Sequence, residues 1–262
     1  MKEADIHESF WKVFDDAERL LMSIEFKGDP NVVPYMQGLL VTLIEHGEAI
    51  VTLLSKDLSA AVPSVFRPYL EAYIDILNLK RVPNYWKRLD SSYYQEKRRF
   101  FESVQKNGEN NVLLRPFLEA GGVTEALAEC TAKLEELKRE KHYPLKIKDK
   151  FELAGALSHY EAIYSDLSLQ SHNNRWALSD RHVEETPDGE YQIALHKTVP
   201  FAEFAKYYAW TAGILEECLT VATDSAEKLE MKYVIAVKVS LGMVREIVQG
   251  VQRQLEFPGN DN

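Results

Sequence analysis

Residues 66–80 read FRPYLEAYIDILNLK, and the placement of the polar side chains in this run decides the fold. Wound as a helix at about 100° per residue, Arg67, Glu71, Asp75 and Asn78 fall on one stripe within about 80°. Phe66, Tyr69, Leu70, Tyr73, Ile74, Ile76 and Leu77 fill most of the remaining circle. A helix this apolar belongs at the centre of a bundle. About ninety residues on, YSDLSLQSHNNR places Tyr164, Ser168, Ser171 and His172 at i, i+4, i+7 and i+8, a second polar stripe on a second rod. Burying either stripe alone would leave charge unpaired at several kcal/mol per group. The two stripes are therefore expected to face each other and form a buried polar cluster; the alternative is that the stripe on 66–80 is the one solvent-facing edge of a mostly buried helix, with Arg67 and Glu71 as an i,i+4 pair.

The rest of the chain reads as more helices. Residues 3–25 carry Ile6, Phe10, Val13, Ala17, Leu20, Leu21 and Ile24 at three-and-four spacing, and residues 35–55 repeat the pattern with Leu39, Leu40, Leu43, Ile44, Ile50, Leu53 and Leu54. Pro63 and Pro68 punctuate the entry to the central segment, so Arg67 stands either at a helix start or at a kink. Helices are expected over 91–106, 124–141, 148–171, 201–223 and 226–256, the last with Ile235, Val239, Met243, Ile247, Val251 and Leu255 as its inner face. Between them, residues 181–196 (RHVEETPDGEYQIALH) alternate on either side of Pro-Asp-Gly, the signature of a β-hairpin. The expectation is an all-α multi-helix bundle of about eight helices with one inserted hairpin near 182–196. It forms a single domain over 1–256, and 257–262 is a disordered tail.

The net charge of −10 argues against a protein that coats nucleic acid, because phosphate binding needs clustered cations. The lysines between 138 and 150 read as a solvated face. Cys130 and Cys218 are too few for a disulfide framework or a structural zinc site. The charged, amphipathic N-terminus lacks a signal-peptide core, and no stretch is expected to be long and uncharged enough to span a membrane. A cytoplasmic location follows. No cofactor or metal is implied, and a homodimer is left open.

For chemistry, His172 is the natural acid or base at neutral pH. Arg67, Glu71 and Arg175 join it as candidate catalytic residues, with Asp75, Asn78, Tyr164 and Ser168 as candidate substrate-binding groups. The competing reading of His172 is a helix C-cap, where the dipole favours its charged form. Arg175 and His182 stand at the Arg-x4–6-His spacing of the HEPN ribonucleases, and in that one respect the chain is similar to them. That likeness implies a role in polarising and cleaving an RNA phosphodiester in a defence or toxin context. Trp176 departs from the polar residue usual after that arginine.

Arg67, Leu70, Glu71, Tyr164, Leu167, Ser168 and His172 also fit a pattern close to R-x-L-L-E…Y-x-x-L-S-x-x-x-H. Through these residues the chain resembles an uncharacterised bacterial all-helical family of unknown function, over about residues 39–223. Asn173-Asn174 stand where that family often has Pro-Ser. The resemblance implies a fold and a shared polar cluster, with no established activity. Three functions compete: a polar site acting on a nucleotide or RNA, a non-catalytic interaction protein whose cluster only locks two helices in register, or a helical pocket for a small ligand.

Overall fold

The computed structural model describes residues 3–172, 175–194 and 200–256. Its central rod is α3 (Val62–Arg81), flanked by α2 (Val33–Ser55) and, from the far end of the chain, by α10 (Phe201–Asp224); α1 (Glu3–Ser23) and α11 (Met231–Glu256) pack on each other and on these two flanking helices. The side chains expected to point inward on α1 do so: Ile6, Phe10, Val13, Ala17 and Leu20 are buried. α3 is more enclosed than its neighbours, with every residue from Ala72 to Leu79 buried, Asp75 and Asn78 included. Arg67 lies inside this helix. Pro63 occupies its first turn, where a missing N–H costs nothing, and Pro68 is accommodated within it.

Aromatic groups join α3 to α10. Phe66 packs against Tyr207 and Trp210, and the Tyr69 hydroxyl donates to the Thr211 carbonyl at 2.7 Å. α1 lies along α11, and the Ser240 hydroxyl donates to the buried Asp16 carboxylate at 2.5 Å. A short antiparallel ribbon of β1 (Glu25–Phe26) and β4 (Ala226–Lys228) ties the exit of α1 to the entry of α11. Residues 226–228 were expected to be helical; pairing with β1 holds them extended.

The remaining helices form an arm. α4 (Tyr85–Asn107) pairs with α6 (Val123–Arg139), which follows the short α5 (Arg115–Glu119). Val104, Val123, Cys130, Leu134 and Leu137 make a small apolar core there, outside the main one. The expected helix over 148–171 is broken in two. α7 (Ile147–Leu153) ends at Gly155, whose φ of +69° opens a Schellman cap: Ala156 N–H donates to Phe151 C=O at 2.8 Å and Gly155 N–H to Glu152 C=O at 3.0 Å. α8 then runs through Leu157–His159, a π-helical turn Tyr160–Tyr164, and Ser165–Ser171. α9 (Arg175–His182) leads into the hairpin of β2 (Val183–Glu185) and β3 (Tyr191–Ile193).

The all-α class and the hairpin stand. The helix number is eleven among the described residues, not eight: Gly155 splits one expected helix, and α5 and α9 are too short for periodicity to show. Asn173, Asn174, residues 195–199 and the expected tail 257–262 lie outside the described residues.

Two further expectations are corrected. α2 is long and apolar enough to cross a membrane by length and composition, although no such stretch was expected. Here Leu40, Leu43, Ile50, Val51 and Leu54 bury one side of it in the bundle. On α11 the inner face is Val234, Val237, Leu241, Val244 and Val248, while Ile235, Val239 and Met243 face solvent. Both faces of that helix are apolar, so periodicity alone does not distinguish them. The side chains of Val251 and Leu255 lie outside the described residues.

Candidate functional site

The stripe on α3 meets its partners at two levels. At the outer level the π-helical turn of α8 brings Tyr164 over Arg67. Its hydroxyl accepts from Arg67 Nε at 2.7 Å and donates to Glu71 Oε1 at 2.6 Å. Arg67 Nε also stands 3.3 Å from Glu71 Oε1, closing a triangle. The guanidinium lies over the Tyr164 ring at 5.1 Å, and Tyr164 stacks on Tyr160 with Phe151 behind both. The Arg67 and Glu71 side chains each keep 34% of their surface. The cluster expected to be buried is therefore only half-buried at this level, because the stripe runs out to the edge of the α3–α8 seam.

Burial, and then the Glu71 carboxylate beside it, push the Tyr164 phenol up to about 12. Burial opposes charge on Arg67, but the Tyr164 hydroxyl and Glu71 outweigh it and hold the guanidinium pKa above its ordinary value. Arg67 and Tyr164 are both locked in their usual protonation states near neutrality. Such a triangle suits a strut better than a proton relay, which needs a pKa near the working pH.

At the inner level, Asp75 accepts from the Tyr85 hydroxyl at 2.6 Å and from Lys150 Nζ at 2.9 Å. The Lys150 and Asp75 side chains are 15% and 10% exposed. Asn78, with no exposed surface, donates from Nδ2 to the Lys150 carbonyl at 2.9 Å, and Arg81 donates to the Ala154 carbonyl at 2.6 Å. Burial, then the Asp75 carboxylate, push the Tyr85 phenol far above its ordinary range. Lys150, Tyr85 and Arg81 were not foreseen. Lys150 sits in the lysine-rich stretch that reads as a solvated face, and only its position just before the buried Phe151 hinted otherwise.

The two stripes thus meet, but not along their whole length. Tyr164 joins Arg67 and Glu71, whereas Asp75 and Asn78 turn to α4 and α7. His172 is exposed at the C-cap of α8, about 12 Å along the rod from Tyr164 at 1.5 Å per residue. Ser168 is half-buried, and its carbonyl accepts from the Ser171 hydroxyl at 3.1 Å. Arg175 is exposed at the start of α9, and His182 is half-buried at its end, at the base of the hairpin, where its carbonyl accepts from the Ala194 N–H at 2.9 Å. Of the candidate catalytic set, Arg67 and Glu71 meet directly, while His172 and Arg175 stand at the end of α8 and the start of α9.

A cleft of about 330 Å³ opens elsewhere, between the start of α3, α8, α9 and α10. Gln170, Asp180, Arg181, Glu203, Lys206 and Tyr207 are among its lining residues, and neither Arg67, Glu71 nor His172 reaches it.

Residues 35–191, more than half of the chain, match the model of a family of unknown function, DUF5677. The chain belongs to that family. The DUF5677 segment runs from Tyr35 within α2 through α9 and β2 to Tyr191, the first residue of β3, and so contains both levels of the α3 cluster together with His172, Arg175 and His182. It leaves out α1, α10 and α11 and stops at 191, short of the expected 223. No curated protein and no solved structure matches the chain.

Proposed function

We propose that this DUF5677 protein is a non-catalytic interaction protein, and that the polar stripe of α3 is a clamp fixing α7 and α8 on the bundle. One observation carries the reading: Arg67, Glu71, Asp75, Asn78 and Arg81 each have a partner on α4, α7, α8 or the α7–α8 junction, although Asn78 Oδ1 is buried without one. The residue best suited to acid–base chemistry, His172, stands apart from them at an exposed helix end. Two free and buried thiols, Cys130 and Cys218, fit the reducing cytoplasm, and the resemblance points to a bacterial cell.

The RNA-directed reading, with its defence or toxin context, rests on Arg175 and His182 at opposite ends of α9. Hydrogen exchange and an RNA assay separate the two. Under the clamp reading, Tyr164→Phe speeds amide exchange in α7 and α8 while the wild type neither degrades total RNA nor arrests growth on expression. RNA cleavage by the wild type that Arg175→Ala and His182→Ala both abolish, with each variant folded by circular dichroism, would overturn it.

A further inference from the structure

α11 is apolar on two opposite faces. One packs into the bundle through Val234, Val237, Leu241, Val244 and Val248. The other presents Met231, Ile235, Val239 and Met243 to solvent, 61%, 57%, 54% and 50% exposed, with Ile247 half-buried at its end. A helix that is hydrophobic all round is normally covered on all sides, and a contiguous exposed apolar stripe rimmed by charge marks an interaction surface.

The order of residues along the stripe identifies its occupant. About Val239 the stripe is close to symmetric: Ile235 stands four residues before it and Met243 four after, Met231 eight before and Ile247 eight after. The charges at the two ends are opposite. Lys232 lies seven residues before Val239 and Glu246 seven after, two full turns in each direction and so near the Val239 face. A two-fold contact requires a surface complementary to itself. Laid antiparallel on its own copy with Val239 at the dyad, α11 sets Ile235 at the level of the second copy's Met243. The same superposition sets Lys232 at the level of the second copy's Glu246, twice over by symmetry. In the single chain Lys232 is paired with Glu230 at the surface, an exposed contact cheap to exchange.

We infer that the exposed face of α11 is the interface of an antiparallel homodimer centred on Val239, closed at both ends by Lys232–Glu246 pairs. This names a partner for the interaction reading above and rests on that reading only in treating the protein as a binding module. Failure of the dimer would leave the α3 clamp untouched, and RNA cleavage would not remove the dimer.

The experiment is sedimentation equilibrium of the full chain over a dilution series. The wild type is expected to associate reversibly to a dimer. Val239→Glu, which sets two like charges together at the dyad, should weaken dimerisation by at least about a hundredfold with an unchanged circular dichroism spectrum. Lys232→Glu and Glu246→Lys should each weaken it, and the double swap should restore it, a rescue that a folding defect cannot imitate. A wild type that is monomeric throughout would overturn the inference. So would a dimer indifferent to Val239→Glu, and so would a monomer that instead co-sediments with anionic lipid vesicles through this face.

Discussion

Lys150, in the last turn of a seven-residue helix, places its Nζ 2.9 Å from Asp75 on the central rod, in a pocket closed by the Tyr85 hydroxyl. This enclosed ion pair, rather than the more visible bonding of Arg67 and Glu71 to Tyr164, is expected to be the stronger of the two attachments between α3 and the chain that crosses it. Removing one member of an enclosed pair strands the other. Asp75→Ala is expected to cost about 3–5 kcal/mol in urea unfolding. Replacing both partners with apolar residues, Asp75→Leu with Lys150→Met, should cost clearly less than Asp75→Ala alone. A double variant as unstable as the single one would show that the pair is not acting as a unit.

The outer triangle is expected to matter less. With a third of each charged side chain still in water, Glu71→Ala should cost about 1–2 kcal/mol, between the values for surface and enclosed pairs. Tyr164→Phe, which removes one hydroxyl and its two hydrogen bonds, should cost about 1 kcal/mol. Denaturant midpoints at constant slope read both.

Alkaline titration tests the same triangle by another route. The Tyr164 phenol has its pKa raised from 10.0 to about 12 in the folded chain. The folded state therefore holds this proton more tightly than the unfolded state. Its contribution to stability is complete below pH 10 and is lost as the pH climbs toward about 12. Tyr85, Tyr73 and Tyr207 are shifted the same way, chiefly by burial. Unfolding and tyrosinate absorbance should rise together in this window, and Tyr164→Phe should flatten part of the loss of stability. Tyrosinate appearing in full near pH 10 while the helices remain intact would contradict the assignment.

Gly155 is expected to be the costliest glycine to replace in the α7–α8 connection. At φ +69° it stands in the left-handed region, and a side chain there adds about 1–2 kcal/mol of backbone strain. No atom lies within 4 Å of the Cβ it would gain, so the loss in Gly155→Ala reports conformation and not a clash. Thermal unfolding measures it. A larger loss would mean that the α7 cap also carries tertiary packing.

Expressed alone, residues 35–191 should not fold. That segment would keep Phe66 and Tyr69 but lose Tyr207, Trp210 and the Thr211 carbonyl that cover them. Amide dispersion in a proton spectrum distinguishes a folded fragment from a collapsed one, and a well-dispersed spectrum would show that α3 has other cover.

Much of the central rod was legible from residues 66–80, because a helix with one polar stripe leaves little choice about its surroundings. That the two stripes meet was equally readable, since Arg67 and Glu71 needed a partner and Tyr164 stood on a matching rod. Where Asp75 and Asn78 went was not. Their partners include the ammonium and the carbonyl of Lys150, in a lysine-rich stretch, and a lysine folded inward carries no periodic mark. Gly155 was visible as a residue, but only its positive φ turns one long helix into two. The α11 face was misread for a more general reason. When two opposite sides of a helix are both apolar, spacing cannot say which one the bundle takes.

Asp16 near the start of the chain bonds to Ser240, 224 residues later. At about 5–20 residues per second, the ribosome delivers that partner roughly ten to forty seconds after α1 has emerged. Throughout that interval Phe10, Phe14 and Leu20 have no final cover, and the β1 edge waits for β4. The nascent chain must carry an unfinished apolar helix until α11 is made, so this protein should depend on holding chaperones during synthesis more than a bundle closed by neighbouring helices would.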